Sequence, residues 1–251
     1  MATFFLSDIH LGLGTRETER AKEDRVLAFL RAIAPSARTL FILGDLFDFW
    51  FEYRTVIPKG FHRTLTALQE LAEGGTVIHY LAGNHDYWMG DYFSRELGVQ
   101  THAEAFDVTL DGKHIHLHHG DGLAANDFGY RLIKPVLRNR VSISLYRWLH
   151  PDIGVRLARG SSRTSREYTG AKDFGEDEGL LAYAERKIAQ GSDIVVMGHR
   201  HRPTLTKVKG GVYVNLGDWI TYNSYARMDD GSMELRTWNG EEGRTHGATA
   251  Q

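Results

Sequence analysis

Polar side chains that can bind metal ions follow five separate apolar stretches of the 251-residue chain. The candidates are Asp8 and His10 after the first stretch, Asp45 after the second, Asn84 and His85 after the third, His119 after the fourth, and His199 and His201 after the fifth. Carboxylate, carboxamide and imidazole groups suit divalent cations such as Mn²⁺, Zn²⁺ or Fe²⁺. Without His85, seven groups remain, which is more than one ion needs. A carboxylate can bridge two ions, so we expect two divalent ions, most simply Mn²⁺, with Asp45 as their shared ligand.

Each candidate also has an ordinary structural interpretation. Asp8 could cap a helix N-terminus, and Asn84 could occupy a turn, because asparagine tolerates left-handed geometry. His199 and His201 could be surface residues, although their alternation in an extended segment would turn both the same way. Three further alternating histidines are interpreted as solvent-facing or supporting residues rather than ligands: His114, His116 and His118.

The candidates need elements that bring them to one place. The preceding apolar runs are "TFFLSD", "TLFILGD", "TVIHYLAGNHD", "HIHLHHGD" and "DIVVMGHRH". Their length and their β-branched and aromatic content are typical of strands. Helical spacing at 26–33 and 61–72 separates the first three runs, which indicates βαβ units on a partly parallel sheet. The carboxyl ends of parallel strands share one edge of a sheet, where ligands bind.

The rest of the chain divides into an insertion, two hairpins and a tail. Residues 126–188 mix apolar and basic residues at helical spacing, interrupted by proline and glycine. Late antiparallel strands are predicted on either side of Gly210-Gly211 and Asp230-Gly231. We therefore expect one domain, with a core formed by 1–125 and 189–240, a helical insertion at 126–188, and a loose tail at 241–251.

Composition limits both the chemistry and the compartment. The chain has no cysteine, which excludes disulfides, thiolate ligands and cysteine nucleophiles. The N-terminal "MATFFLSDIH" lacks the features of a signal peptide. No stretch is long and apolar enough to span a membrane. These observations predict a cytoplasmic protein.

Basic residues are concentrated in the expected insertion. Nine Arg and Lys residues but only one acid lie between 131 and 166, whereas the rest of the chain has 21 basic and 31 acidic residues. This asymmetry indicates an anionic partner. A solvated helical face would have the same composition, so the charge alone does not decide between them.

Five motifs resemble those of the calcineurin-like metallophosphoesterase superfamily, in the same order. They are "DIHLG" (8–12), "GDLFD" (44–48), "GNHD" (83–86), "HHGD" (118–121) and "GHRH" (198–201). The resemblance implies an α/β fold with α+β character, in which two sheets form a β-sandwich flanked by helices around a dinuclear metal centre. It assigns one ion to Asp8, His10, Asp45 and His201, and the other to Asp45, Asn84, His119 and His199.

Two neighbouring residues are expected to act in catalysis rather than as ligands. His85 follows Asn84 directly and cannot easily bind the same ion. We expect His85 to donate a proton or hydrogen bond to the phosphate or the leaving group, as the resemblance also implies. Asp86 could orient His85, since a carboxylate can fix an imidazole ring. Two ions could clamp a phosphoryl group and supply a hydroxide nucleophile for in-line attack.

Longer stretches resemble the UDP-2,3-diacylglucosamine diphosphatases of lipid A biosynthesis, namely "GDLFDFWF", "HGDGLAANDFGYR", "GHRHRP" and "NLGDW". Those enzymes hydrolyse a pyrophosphate bond and release UMP and 2,3-diacylglucosamine 1-phosphate. The resemblance implies that the insertion is a lid over the acyl chains. It also implies peripheral association with the anionic inner face of the inner membrane of a Gram-negative bacterium. The lid would cover a groove for the acyl chains. The base of this groove would be lined by the rings of Phe47, Phe49, Trp50 and Phe51.

The substrate-binding residues that this resemblance and the site chemistry suggest lie in both the core and the insertion. They are Asn84, His85, Asp127, Tyr130, Arg159, Ser162, Ser165, Arg166, Lys172 and His199. Two positions depart from the best-known branch, which has Arg in place of His85 and Cys in place of Ala124. These departures favour the general superfamily pattern or a second branch of the diphosphatases.

Other functions fit parts of the sequence. A general metallophosphoesterase, such as a phosphodiesterase or nucleotidase, would use the same metals on a soluble phosphoester but needs no apolar groove. A nuclease would use the basic segment for backbone phosphates, and a non-catalytic scaffold would need only the fold. Because every candidate ligand is present, we expect an enzyme, with no nucleic acid and no obligate protein partner.

Overall fold

The computed structural model describes residues 1–123, 128–157, 160 and 176–240. The strands are β1 (Ala2–Leu6), β2 (Ala37–Leu43), β3 (Val77–Leu81), β4 (Gln100–His102), β5 (Phe106–Leu110), β6 (Lys113–His118), β7 (Ile194–Met197), β8 (Thr204–Val208), β9 (Gly211–Asn215), β10 (Ser224–Asp229) and β11 (Ser232–Thr237). The helices are α1 (Arg16–Ile33), α2 (His62–Glu73), α3 (Tyr92–Glu96), α4 (Phe128–Leu137), α5 (Arg140–Tyr146), α6 (151–157) and α7 (Glu176–Ala189).

Two mixed sheets form a sandwich. The first has the order β11-β10-β1-β2-β3-β4, and the second has the order β5-β6-β7-β9-β8. Strands β1 to β4 run parallel, as do β6, β7 and β9, while hairpin partners flank both parallel sets. The predicted fold class, a two-sheet sandwich flanked by helices, is confirmed.

Three apolar layers hold the sandwich together. Phe5 and Phe41 of the first sheet stack at 5.0 Å in the layer between the sheets, which also contains Val196 and Val214 of the second sheet. Helices α1 and α2 cover the outer face of the first sheet, and α7 covers the second. Strands with both faces covered read as nearly continuous apolar runs, and the sequence shows this in β2 and β7.

Helix α1 contains the predicted helical stretch at 26–33 and begins ten residues before it, at Arg16. The Thr15 hydroxyl accepts a hydrogen bond from the Thr18 amide at 3.3 Å and so satisfies one of the free donors at the N-terminus. The residues spaced for one helical face, from Val26 to Ile33, are buried against the first sheet. Burial of one such side chain stabilises the fold by about 1.5–3 kcal/mol.

The late hairpins lie where expected, with one shift in register. The β8–β9 turn is formed by Lys209 and Gly210 rather than Gly210 and Gly211, and their φ angles are 48° and 90°. Asp230 and Gly231 form the β10–β11 turn with φ of 47° and 76°. A two-residue type I′ turn needs positive φ at both positions, and Lys209 accepts this geometry so that Gly211 can begin β9.

The carboxyl ends of the parallel strands from both sheets lie at one end of the sandwich, where the site is located. Helices α4 to α6 lie between β6 and β7 in the chain, within the predicted insertion at 126–188, whose division from the core stays a prediction. The predicted tail at 241–251 is outside the described residues. Among the residues that the structure describes, no helix has the length and apolar character needed to cross a bilayer.

Candidate metal centre and active site

The loop after β1 contributes the first candidate ligands. Asp8 and His10 are both buried, and His10 Nε2 lies 3.7 Å from Asp8 Oδ1. His201, from the loop after β7, places its Nε2 3.4 Å from the same carboxylate oxygen. Asp8 caps no helix, because Thr15 caps α1. These three side chains offer their ligand atoms to a common point.

A second group surrounds Asp45, which follows β2. Asp45 Oδ2 lies 3.3 Å from His119 Nε2, and His119 Nε2 lies 3.0 Å from Asn84 Oδ1. His199 offers a ring nitrogen to the same group. Asp45 Oδ2 also lies 3.6 Å from His10 Nε2 of the first group. The carboxylate of Asp45 therefore lies between the two groups.

Five of the seven predicted ligands have an unusual backbone conformation. The φ angles are 53° for Asp8, 49° for His10, 55° for Asp45, 69° for His199 and 56° for His201. Left-handed geometry is uncommon for residues other than glycine and costs free energy. This strained conformation is repeated at the strand ends that carry the candidate ligands. Backbone strain of this kind persists at functional sites.

The buried atoms of this cluster fit a cation. Asp8 Oδ1 and both ring nitrogens of His10 are buried without a hydrogen-bond partner. Burying polar atoms unpaired costs free energy, and ligand atoms 3.3–3.7 Å apart suit donors that each lie about 2.0–2.2 Å from one ion. The donor set and its geometry therefore provide a site for divalent cations.

The electrostatics of the cluster also favour positive charge. Burial opposes protonation of His10, but the carboxylates of Asp48 and Asp8 raise its pKa to about 9. Burial likewise opposes protonation of His119, but Asp45 raises its pKa to about 10. Burial opposes the charge of Asp45, yet the imidazoles around it hold its pKa well below its usual range. A divalent cation would take the place of these protons.

Residues behind the candidate ligands fix their rings. His119 Nδ1 donates to the Leu43 carbonyl at 2.7 Å, which leaves Nε2 free to bind a cation. His201 Nδ1 lies 3.2 Å from Asp218 Oδ2, and Asp218 follows β9. Such partners hold a ligating imidazole in one orientation and tautomer. Sequence reasoning missed Asp218, although the "NLGDW" stretch contains it.

Helix α1 holds the loop that carries Asp8 and His10. The buried Lys22 donates to the His10 carbonyl at 2.5 Å and pairs with Glu19 at 3.0 Å. Glu19 accepts hydrogen bonds from the amides of Gly12 and Gly14 at 2.6 and 2.7 Å. The first turns of α1 therefore fix the backbone immediately after the ligands.

His85 lies at the site, but its partner is not the predicted one. His85 Nδ1 donates to the Asp48 carbonyl at 3.0 Å and lies 3.7 Å from Asp48 Oδ1. The His85 amide donates to Asp45 Oδ1 at 2.9 Å. Asp48 also lies 3.7 Å from His10 Nδ1. Asp48, which sequence reasoning did not assign, therefore faces both imidazoles.

Asp86 does not orient His85, so that expectation is wrong. Its buried carboxylate accepts hydrogen bonds from the Tyr80 hydroxyl and from the amides of Gly83 and Leu46, both at 2.8 Å. Burial and the neighbouring Asp45 raise the pKa of Asp86 to about 6. Asp86 therefore ties the loop after β3 to the loop after β2.

Comparison with known proteins places this architecture in a family. The family model for calcineurin-like phosphoesterases matches residues 1–203. The chain belongs to the calcineurin-like phosphoesterase family. The superfamily resemblance of the five motifs is thereby confirmed.

Two relatives that align over most of this calcineurin-like phosphoesterase share one name. UDP-2,3-diacylglucosamine hydrolase of Porphyromonas gingivalis is 36% identical and aligns over 93% of this chain and 96% of its own length. The protein of the same name from Nitrosococcus oceani is 32% identical over 87% of this chain and 88% of its own. Among solved structures, Vacuolar Protein Sorting 29 of Cryptosporidium parvum has a TM-score of 0.50 and 14% identity, with 99% of this chain and 96% of that one covered. This last similarity concerns the fold alone.

The aromatic residues of the phosphoesterase do not line a groove in the way that the sequence suggested. Phe47 and Trp50 are fully buried in the apolar layer between the first sheet and helices α1 and α2. The Phe47 ring lies 4.7 Å from that of Phe61, and the Trp50 ring lies 4.9 Å from that of Phe93. These rings form the packed support of the loop that carries Asp45.

The two remaining rings differ from each other. Phe51 is also fully buried and packs 5.2 Å from Trp88 and 4.7 Å from Tyr146 of α5. Only Phe49 is partly exposed. It borders a cleft near the site whose lining residues are Leu11, Gly12, Asp48, Phe49, Pro58, Phe61 and Val155.

Most predicted substrate contacts of the insertion lie outside the described residues. They are Asp127, Arg159, Ser162, Ser165, Arg166 and Lys172. Tyr130 belongs to α4, but its side chain is not described. The substrate-binding roles of all these residues remain predictions. The other three predicted substrate contacts, Asn84, His85 and His199, lie at the metal centre.

Proposed function

We propose that this protein hydrolyses the pyrophosphate bond of UDP-2,3-diacylglucosamine and releases UMP and 2,3-diacylglucosamine 1-phosphate, with two divalent ions, most simply Mn²⁺. The observation that carries the proposal is the position of the Asp45 carboxylate between two groups of ligands. The proposed substrate is supported by the alignment of 93% of this chain with a protein named UDP-2,3-diacylglucosamine hydrolase.

The ligand assignment follows the two groups. Asp8, His10 and His201 would hold one ion and share Asp45 with the other, which Asn84, His119 and His199 would hold. A pair of divalent cations held there would neutralise a phosphoryl group and lower the pKa of water enough to make it a nucleophile. Water, losing a proton to solvent, would add to one phosphorus of the anhydride. The bond from that phosphorus to the bridging oxygen would break, and the bridging oxygen would leave with the other phosphate.

His85 would help the leaving group depart. Burial lowers its pKa, although Asp45 and Asp48 oppose this shift. With Nδ1 donated to the Asp48 carbonyl, Nε2 is the atom that would face the substrate. A hydrogen bond or proton from that nitrogen would stabilise the negative charge on the departing phosphate.

The insertion would bind the acyl chains and meet the membrane. Large apolar side chains are exposed in helices α4 to α6 and in the turn between α5 and α6, among them Leu145, Trp148 and Ile153. Exposed Arg140, Arg147 and Arg156 lie in the same helices or directly beside them. Apolar side chains beside arginines suit a surface of anionic lipids, so we propose that this enzyme is cytoplasmic and associates peripherally with the inner face of the inner membrane.

A product assay tests the proposed substrate. The metal-loaded protein is incubated with UDP-2,3-diacylglucosamine, with bis(4-nitrophenyl) phosphate and with a cyclic nucleotide. We expect stoichiometric UMP and 2,3-diacylglucosamine 1-phosphate, and a kcat/KM at least roughly a hundredfold higher on the lipid than on the other two. Turnover of the soluble phosphoesters alone would instead identify a general phosphodiesterase.

A further inference from the structure

The C-terminal end of α4 is attached to the loop that carries two site residues. The Leu137 carbonyl accepts a hydrogen bond from Trp88 Nε1 at 2.9 Å. The guanidinium of Arg138, the next residue, lies 4.0 Å from the centre of the Tyr87 ring. Tyr87 and Trp88 follow Asn84 and His85 in one loop. A shift of this end of α4 would therefore act directly on the backbone that positions His85.

The same arginine reaches a second loop of the site. Arg138 Nη2 lies 3.1 Å from the Asp121 carboxylate, and Lys134 Nζ of α4 lies 2.7 Å from the same oxygen. Asp121 is 3% exposed and stands two residues after His119. On its other side, Arg138 Nη1 pairs with the exposed Glu104 at 3.0 Å. The arginine itself is only 12% exposed, so it is held from several directions.

A second contact of the insertion uses the same loop. The Tyr146 ring of α5 lies 4.8 Å from the Trp88 ring and 4.7 Å from the Phe51 ring. Helices α4 and α5 thus both contact the part of the loop after β3 that contains Tyr87 and Trp88. Buried ion pairs add little net stability, but they can specify one arrangement of the parts that they join.

We propose that Arg138 is a positioning residue that couples the helical insertion to two loops of the metal centre and so determines how well the site accepts a lipid-bearing nucleotide. This inference rests on the proposed function, because only a substrate with acyl chains needs the insertion and the metal centre in one fixed arrangement. A small phosphodiester needs the metal centre alone. Arg138 should therefore affect the two kinds of substrate unequally.

The test compares three variants of the full-length, metal-loaded protein. Arg138→Gln removes the Asp121 pair, the Glu104 pair and the planar cation over Tyr87. Arg138→Lys keeps the charge without the planar guanidinium. Glu104→Gln removes only the outer partner of Arg138 and is the matched control. KM and kcat are measured on UDP-2,3-diacylglucosamine and on bis(4-nitrophenyl) phosphate.

We expect R138Q to lower kcat/KM on the lipid by at least roughly tenfold more than on the small phosphodiester, chiefly through a higher KM for the lipid. R138K should recover part of the loss, and E104Q should resemble the unaltered protein. Equal losses on both substrates would reduce Arg138 to a structural residue and overturn the proposal. Unchanged kinetics on both would overturn it as well.

Hydrogen exchange separates this inference from the proposed function. If the unaltered protein does not hydrolyse UDP-2,3-diacylglucosamine, the proposed function fails, and the coupling is then judged by exchange alone. Amide exchange in 84–88 and in 119–123 should be faster in R138Q than in E104Q. Equal exchange in the two variants would contradict the coupling whatever the substrate.

Discussion

Asp48 faces two imidazoles at the centre of the site. Its carboxylate lies 3.7 Å from a ring nitrogen of His10 and 3.7 Å from one of His85. One residue therefore orients both a candidate ligand and the candidate proton donor. Mutation of a residue that orients a ligand typically lowers metal affinity or activity by about 10–100-fold.

Asp48→Asn tests this arrangement. The amide keeps the size of the side chain but removes the charge that favours the present orientation of both rings. We expect kcat on UDP-2,3-diacylglucosamine to fall by roughly tenfold to a hundredfold, with an unchanged melting temperature. Asp230→Asn, in the β10–β11 turn, is the matched control, because asparagine tolerates the left-handed conformation there. Equal activity of the two variants would show that Asp48 has no orienting role.

At the residue scale, the sequence predicted which polar side chains come together better than it predicted the residues behind them. Asp8, Asp45 and His119 could be found because their types suit metals and each follows an apolar run. The role given to Asp86 was wrong because adjacency to His85 does not determine side-chain direction. Asp218 and Asp48 were missed because a partner of a ligand leaves no periodic pattern.

At the scale of elements, the loops that follow different strands approach each other closely at glycine residues. Gly198 precedes His199, and a Cβ atom there would overlap the Asp8 carboxylate and lie 2.8 Å from the Ser7 Cβ. Gly83 stands in the same relation to Asp45, because a Cβ atom on Gly83 would lie 2.6 Å from the Asp45 amide nitrogen. The glycines of the motifs allow loops from different strands to meet.

Gly198→Ala should disturb the centre while leaving the fold intact. The added methyl group must displace Asp8, and such overpacking costs about 1–3 kcal/mol. We expect Mn²⁺ affinity, measured by titration calorimetry, to fall by at least roughly tenfold, since displaced ligands bind metal less well.

Gly74→Ala is the matched control for this substitution. Gly74 ends α2 with φ of −70°, which alanine adopts without strain. It should bind Mn²⁺ as the unaltered protein does. Unchanged affinity in G198A would contradict the close approach of Gly198 to Asp8.

At this scale, periodic elements were predictable and the loop at 44–61 was not. The strands follow from short apolar runs, and α1 follows from the helical spacing at 26–33. The aromatic loop has no period, so its sequence could not distinguish a groove from a packed core. The structure buries Phe47 and Trp50 because they support the Asp45 loop from beneath.

On the scale of the whole molecule, one end combines the metal centre with a basic, apolar insertion. Trp148 is 84% exposed and Leu145 is 65% exposed. Nine of the 30 basic residues lie between 131 and 166. The order of strands within the sheets could not be derived from the sequence, because it depends on long-range pairing. The two-sheet sandwich was predicted from the resemblance to a known family.

A double variant tests the proposed membrane surface. Leu145→Glu combined with Trp148→Glu places negative charge where the apolar side chains would enter the lipid interface. We expect its co-sedimentation with anionic phospholipid vesicles to fall by at least roughly tenfold relative to the unaltered protein. Val77→Glu, at the amino end of β3, is the control and should bind vesicles normally. Vesicle binding that the double variant retains would contradict this surface.

The central claim is that two divalent ions share Asp45, and anomalous diffraction from crystals grown with Mn²⁺ tests it most directly. The account predicts two manganese peaks on either side of the Asp45 carboxylate, one beside Asp8, His10 and His201 and the other beside Asn84, His119 and His199. Bridged ions lie about 3.5–4 Å apart. A single peak, or peaks away from Asp45, would contradict the account.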